Sequence, residues 1–209
     1  MILSKVDVKF EIVPLSYEIL SDDRIPQLSH WCELFHEQNL APPYEGGSYG
    51  NLSFKESIRD SFIITLSQSS LEDAVNRSDF ALVTKVDFET GKVFTVLPKK
   101  GTKPSSEAMV HRAGYEERPK AGAIFHGQSD LIGKYAETLE IPVTLEEKPY
   151  GTLALVEQVR QVLRSNPESN LVQMRNHGFL ALGYGSSPMN DAGNRVLEYM
   201  ESIKQLERV

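Results

Sequence analysis

The chain has 209 residues, 40% hydrophobic and 24% charged, which supplies a real core for one globular domain and excludes a disordered chain. A formal net charge of -7 excludes the broad basic face through which nucleic-acid binders release counterions. Cys32 is the single cysteine, which rules out an internal disulfide and a cysteine-rich zinc cluster, and no run of about 18 apolar residues marks a membrane span. The opening "MILSKVDVKF" has no basic segment followed by a long apolar stretch, so the expectation is a cytoplasmic protein with one domain over residues 1–209.

In chain order, "KVDVKFEIV" alternates apolar and charged residues, which predicts an extended arm or edge strand over residues 1–15 with Val6, Val8, Phe10 and Ile12 on one face. Residues 16–39 read as a helix, and "APPYEGGSYG" reads as a loop broken by prolines and glycines. "NLSF" and "SFIITL" read as two strands joined by a charged turn, and "FALVTKVDFETGKVFTVL" as further strands around Thr90 and Gly91. "SSEAMVHRAGYEERP" reads as a helix stopped before Pro119, "AGAIFH" as a buried strand, and residues 129–139 and 151–165 as helices. "LVQMRNHGFLALG" gives two strands bent at Asn176 to Gly178, and residues 188–208 form a closing helix. Helices interspersed with sequence-adjacent strands predict a layered α/β domain with a mixed sheet.

Polar residues that interrupt apolar runs are the candidates for chemistry. His126 closes "AIF" and His177 sits at the bend of "MRNHGFLAL", so each lies where a strand leaves the core. Singly, either is accounted for by a half-buried structural histidine; as a pair, each followed by a glycine that lets backbone or ligand approach closely, the balance shifts toward a ligand role. Glu107 in "PSSE" stands at a helix start, where the helix dipole alone would stabilise a carboxylate. Ser105 and Ser106 make an ordinary cap there, yet a helix start with serine hydroxyls is also an anion site.

Taken together, "GNLSFK", "FIITLSQ", "PSSEAMVHRAGYEERPKAGAIFHGQS" and "NHGFLALG", spread over residues 45–183, resemble the successive motifs of the class II aldolase/adducin family. The resemblance implies a three-layer α/β/α sandwich with a mixed, mostly antiparallel central sheet, assembled as a homotetramer with sites at subunit contacts. It implies a divalent metal, generally zinc, and a small phosphorylated sugar as substrate. Glu107 matches the acid/base carboxylate, and His126 and His177 match two of three metal histidines. Asn51, Ser53, Ser67, Ser105 and Ser106 match positions that hold substrate phosphate.

Departures from the pattern sharpen the expectation. Where the family carries His-x-His on one strand face, this chain has Gln128, a neutral and weak zinc ligand, so the metal is expected to be weakly held or absent. Leu66 and Gln68 stand where the phosphate loop usually has proline and glycine, and Tyr150 in "PYG" is either a substitute for a catalytic tyrosine or a turn. Three readings therefore stand beside each other: a metal-dependent lyase with a modified metal shell, a non-catalytic or ligand-binding member of the same fold, and an assembly or interaction protein in which the pocket is residual.

Overall fold

The computed structural model describes residues 9–56, 60–71 and 75–208. Its centre is an eight-stranded sheet in the order β1-β7-β6-β5-β4-β8-β10-β9. The strands are β1 (Glu11–Tyr17), β4 (Asn51–Lys55), β5 (Phe62–Thr65), β6 (Phe80–Asp87), β7 (Lys92–Leu97), β8 (Ala123–Gly127), β9 (Leu171–Met174) and β10 (Gly178–Gly183). A separate small hairpin joins β2 (Pro43–Tyr44) to β3 (Gly47–Ser48). β1 runs parallel to β7, and every other neighbouring pair in the large sheet is antiparallel.

Helices cover both faces. α1 (Ile25–Glu37), α3 (Asp130–Tyr135) and α5 (Pro188–Leu206) lie on one side, and α2 (Ala108–Glu117) and α4 (Leu153–Ser165) on the other. Strand periodicity assigns the residues between these layers: Leu52, Phe54, Phe125, Phe179 and Ala181 pack under α1 and α5, whereas Ile124, Leu180 and Leu182 pack under α2 and α4. The result is a three-layer α/β/α sandwich on a mixed, mostly antiparallel sheet. α4 shows how the sequence builds a layer: Leu155, Val156, Val159, Val162 and Leu163 form one buried stripe, and the Thr152 hydroxyl caps the helix by accepting from Leu155 N at 3.3 Å. No helix among the described residues is long and apolar enough to cross a membrane.

Three expectations change in detail. The helix read over residues 16–39 begins only at Ile25, because β1 continues to Tyr17 and Glu18 N still donates to Leu97 O; Pro26 then sits in the first turn, where its missing N–H is harmless. The loop "APPYEGGSYG" contains the β2–β3 hairpin, turned at Gly46 with φ of 97°. In the N-terminal arm, Val6 and Val8 lie outside the described residues, and residues 11–17 form the sheet edge.

α5 crosses α1 at Gly193, where an added Cβ would lie 2.2 Å from Trp31 Cζ3. The Trp31 ring is pinned there, since Nε1 donates to Asn190 Oδ1 at 3.0 Å. Gly193→Ala is therefore expected to destabilise the fold by about 1–3 kcal/mol through overpacking, although alanine is the better helix former by about 1 kcal/mol. Urea denaturation checks this, and an unchanged midpoint would show that the tryptophan yields freely.

Candidate metal and substrate site

The site forms where the sheet meets the start of α2. In β4 the period of two sends Leu52 and Phe54 to the α1 face and leaves Asn51 and Ser53 facing α2. β8 lies beside β4 with Asn51 opposite His126, so His126 faces the same layer. Glu107 immediately precedes α2 as its N-cap, and its own N–H donates to Ser105 Oγ at 3.2 Å. His177 occupies the turn between β9 and β10.

These side chains converge. Glu107 Oε1 lies 2.5 Å from His177 Nε2, and Oε2 lies 2.9 Å from His126 Nε2. The two imidazoles stack at 5.2 Å between centroids and 8° between planes. Gly178 makes this approach sterically feasible: with φ of +147°, a Cβ there would meet Gly127 O at 2.3 Å and His126 Cε1 at 2.8 Å.

Burial alone would raise the Glu107 carboxyl, but the two imidazoles beside it outweigh burial and hold it well below the usual carboxylate range. Burial likewise disfavours the His177 imidazolium, and the Glu107 carboxylate reverses the balance, raising its pKa. His126 Nδ1 lies 2.8 Å from Phe179 O; a carbonyl only accepts, so Nδ1 carries a proton and donates it. In neutral His126 the bare Nε2 then faces a carboxylate oxygen 2.9 Å away. Two acceptors at that separation call for a cation between them, a proton or a metal ion. Glu107, His126 and His177 offer ligand atoms all within 4.8 Å of one another, so the donor set fits a divalent ion.

Next to this cluster is a cavity of about 240 Å³. Asn51, Ser67, Ser105, Ser106, Glu107, His126, Gln128 and His177 all line it, and Tyr44, Tyr49 and Tyr150 add an aromatic part. Among the described residues the lining contains no lysine or arginine. Ser67 N donates to Lys103 O at 2.9 Å and Ser105 N to Thr65 O at 3.0 Å, so these two serines offer hydroxyls rather than backbone N–H groups to a ligand. Gln68 keeps a backbone suited to glycine, with φ of 64°, and lines the cavity, while Leu66 bridges to Pro104.

Ser53 departs from its expected place. It is fully buried outside the cavity lining, with its hydroxyl 2.7 Å from His111 Nδ1 and 2.8 Å from the Tyr115 hydroxyl. His111 and Tyr115 were not singled out in the sequence, although with Glu107 they repeat every four residues and so share one helix face. Tyr44 and Tyr49 were passed over as part of a turn-rich loop; their rings stand 4.7 Å apart.

Fold and site together define an α/β/α-sandwich protein with a His–Glu–His centre, buried at Glu107 and His126 and partly open at His177, beside a hydroxyl-lined cavity. The chain belongs to the class II aldolase and adducin N-terminal domain family, whose family model matches residues 27–205. No curated protein sequence gives a significant match. Among solved structures the chain is similar to an L-fuculose 1-phosphate aldolase, at 24% identity over 91% of this chain and 88% of that one, with a TM-score of 0.66. It is also similar to a sugar-phosphate aldolase from Thermotoga maritima, at 18% identity over 90% and 94% with a TM-score of 0.72. A third is YgbL from Klebsiella pneumoniae, described as a putative aldolase/epimerase/decarboxylase, at 20% identity over 87% of each chain with a TM-score of 0.65. At these identities the likeness is one of fold.

Proposed function

We propose that the protein is a metal-dependent lyase of the class II aldolase type, or a closely related epimerase or dehydratase, acting on a small phosphorylated sugar. The observation that carries this reading is the convergence of Glu107, His126 and His177 beside a cavity lined by Ser67, Ser105 and Ser106. His126 and His177 would hold the ion with Glu107, and Gln128 borders the same space. Zinc is the ion of choice for a site of two imidazoles and a carboxylate, and when bound it supplies Lewis-acid polarisation of a carbonyl oxygen.

The chain's own groups account for the rest. Glu107, 3% exposed, takes or returns the proton at the carbon beside the substrate carbonyl, and its ionised resting form makes it a base first. The hydroxyls of Ser67, Ser105 and Ser106 hold the phosphate end, and Tyr44, Tyr49 and Tyr150 pack against the carbon skeleton. The same reading has a cytoplasmic homotetramer with sites near subunit boundaries. A second reading, a member that binds the ligand without turning it over, is favoured by Gln128 alone, whose neutral amide replaces an imidazole.

Phosphate or a sugar phosphate is expected to stabilise the protein against heat, by about 2.7 kcal/mol at 100 times the dissociation constant. Ser106→Ala should weaken that stabilisation. A melting temperature that stays constant up to high phosphate and sugar-phosphate concentrations would remove the phosphate subsite from the account. Incubating the zinc-loaded protein with a panel of ketose phosphates then separates the readings: product formation supports the lyase, and binding without product supports the second.

A further inference from the structure

Beyond Asn51, outside the cavity lining, a line of buried polar side chains runs back along α2. Asn51 Nδ2 donates to Glu107 Oε2 at 3.3 Å, and Asn51 Oδ1 lies 2.7 Å from His111 Nε2. His111 Nδ1 lies 2.7 Å from Ser53 Oγ, which is itself 2.8 Å from the Tyr115 hydroxyl. Asn51, Ser53, His111 and Tyr115 are all buried.

The proton positions along this line follow from one end. Asn51 offers its N–H to the carboxylate, so the atom it turns to His111 is the acceptor Oδ1. His111 Nε2 must then carry the proton. His111 is fully buried and its two ring nitrogens face the neutral side chains of Asn51 and Ser53, surroundings that hold an imidazole neutral, so Nδ1 is bare and accepts from Ser53. Ser53 has a second acceptor in Ile124 O, but at 3.4 Å against 2.7 Å the imidazole takes the proton. The serine oxygen is left to accept from Tyr115. Every donor in the line points toward Glu107.

We propose that His111 is a positioning residue: held as the Nε2–H tautomer by Ser53 and Tyr115, it locks the Asn51 carboxamide with its N–H on the Glu107 carboxylate. The amide of an asparagine can turn over and present oxygen instead, which would repel the carboxylate; the imidazole N–H forbids that orientation. Ser53 and Tyr115 therefore act on the site without touching its cavity. This rests on the reading of Glu107, His126 and His177 as the metal centre only in its effect on zinc, not in the proton order itself.

Long-range proton–nitrogen spectra of histidine-labelled protein report the tautomer directly, in the unaltered chain and without zinc. The expected result is a neutral His111 with its proton on Nε2 from pH 5 to 8, and slowly exchanging Asn51 side-chain amide protons. In Ser53→Ala, which removes one hydroxyl and little volume, the Asn51 amide protons should exchange faster and zinc affinity should fall by about 10-fold or more, as for other groups that orient metal ligands. A proton on Nδ1 of the unaltered protein, or identical Asn51 amide signals in both proteins, overturns the proposal. If the unaltered protein binds no zinc, the metal reading fails while the tautomer and amide signals still decide this one.

Discussion

Glu107→Gln is expected to lower turnover of the proposed sugar-phosphate substrate by about 10²- to 10⁴-fold, the usual worth of a positioned acid/base group. Glutamine keeps the shape of the side chain and removes the ionisable proton site, so a loss of this size would come from proton transfer and ligation together. The environment explains why the effect should be large. Glu107 is 3% exposed and its carboxylate bridges two imidazoles, at 2.5 Å from His177 and 2.9 Å from His126, and among the described residues no other carboxylate lines the cavity. Steady-state kinetics on a variant whose circular dichroism matches the parent checks this. Undiminished turnover would assign the proton transfer to another group.

Phe125→Ala is expected to destabilise the fold by about 3–5 kcal/mol, the range for removing a fully buried aromatic ring. Phe125 is 0% exposed, meets Phe35 edge-on at 5.5 Å and lies 5.9 Å from Trp31, so its ring joins the sheet to α1. The Phe35 and Trp31 rings beside it hold the space open and resist its collapse. Its sequence neighbour His126 points into the opposite layer, so the loss should appear in urea unfolding before it appears in the site. A change below about 1 kcal/mol, typical of a surface position, would mean that this layer repacks.

Much of this architecture was legible because strand and helix periods differ. The alternation in "NLSFK" is enough to put Asn51 and Ser53 on one face, His126 joins that face only through the register of β8 with β4, and the apolar positions of residues 151–165 are enough to place α4. The paired histidines and Glu107 were legible through their motifs, and the cavity brings them together with Ser67, Ser105, Ser106 and Gln128. What failed was long-range or conformational. Ser53 shares a face with Asn51, but only the packing of α2 against β4 shows that its hydroxyl is consumed by His111 and Tyr115. The start of α1 was placed too early because Ser16 and Tyr17 take their strand form from pairing with Val96 and Leu97, distant in sequence. The β2–β3 hairpin was hidden by its brevity: two residues per strand carry no period.

The claim that His126, Glu107 and His177 form a metal centre completed imperfectly by Gln128 is tested most directly by calorimetric zinc titration. Gln128 borders the cavity with both histidines, and a Cβ added at Gly178, next to His177, would lie 3.1 Å from Gln128 Cγ. The unaltered chain should bind zinc saturably, and Gln128→His, by adding an imidazole, should bind it at least about tenfold more tightly, a gain of roughly 1.4 kcal/mol. Equal affinity in the two proteins, or no saturable binding in either, would contradict the account.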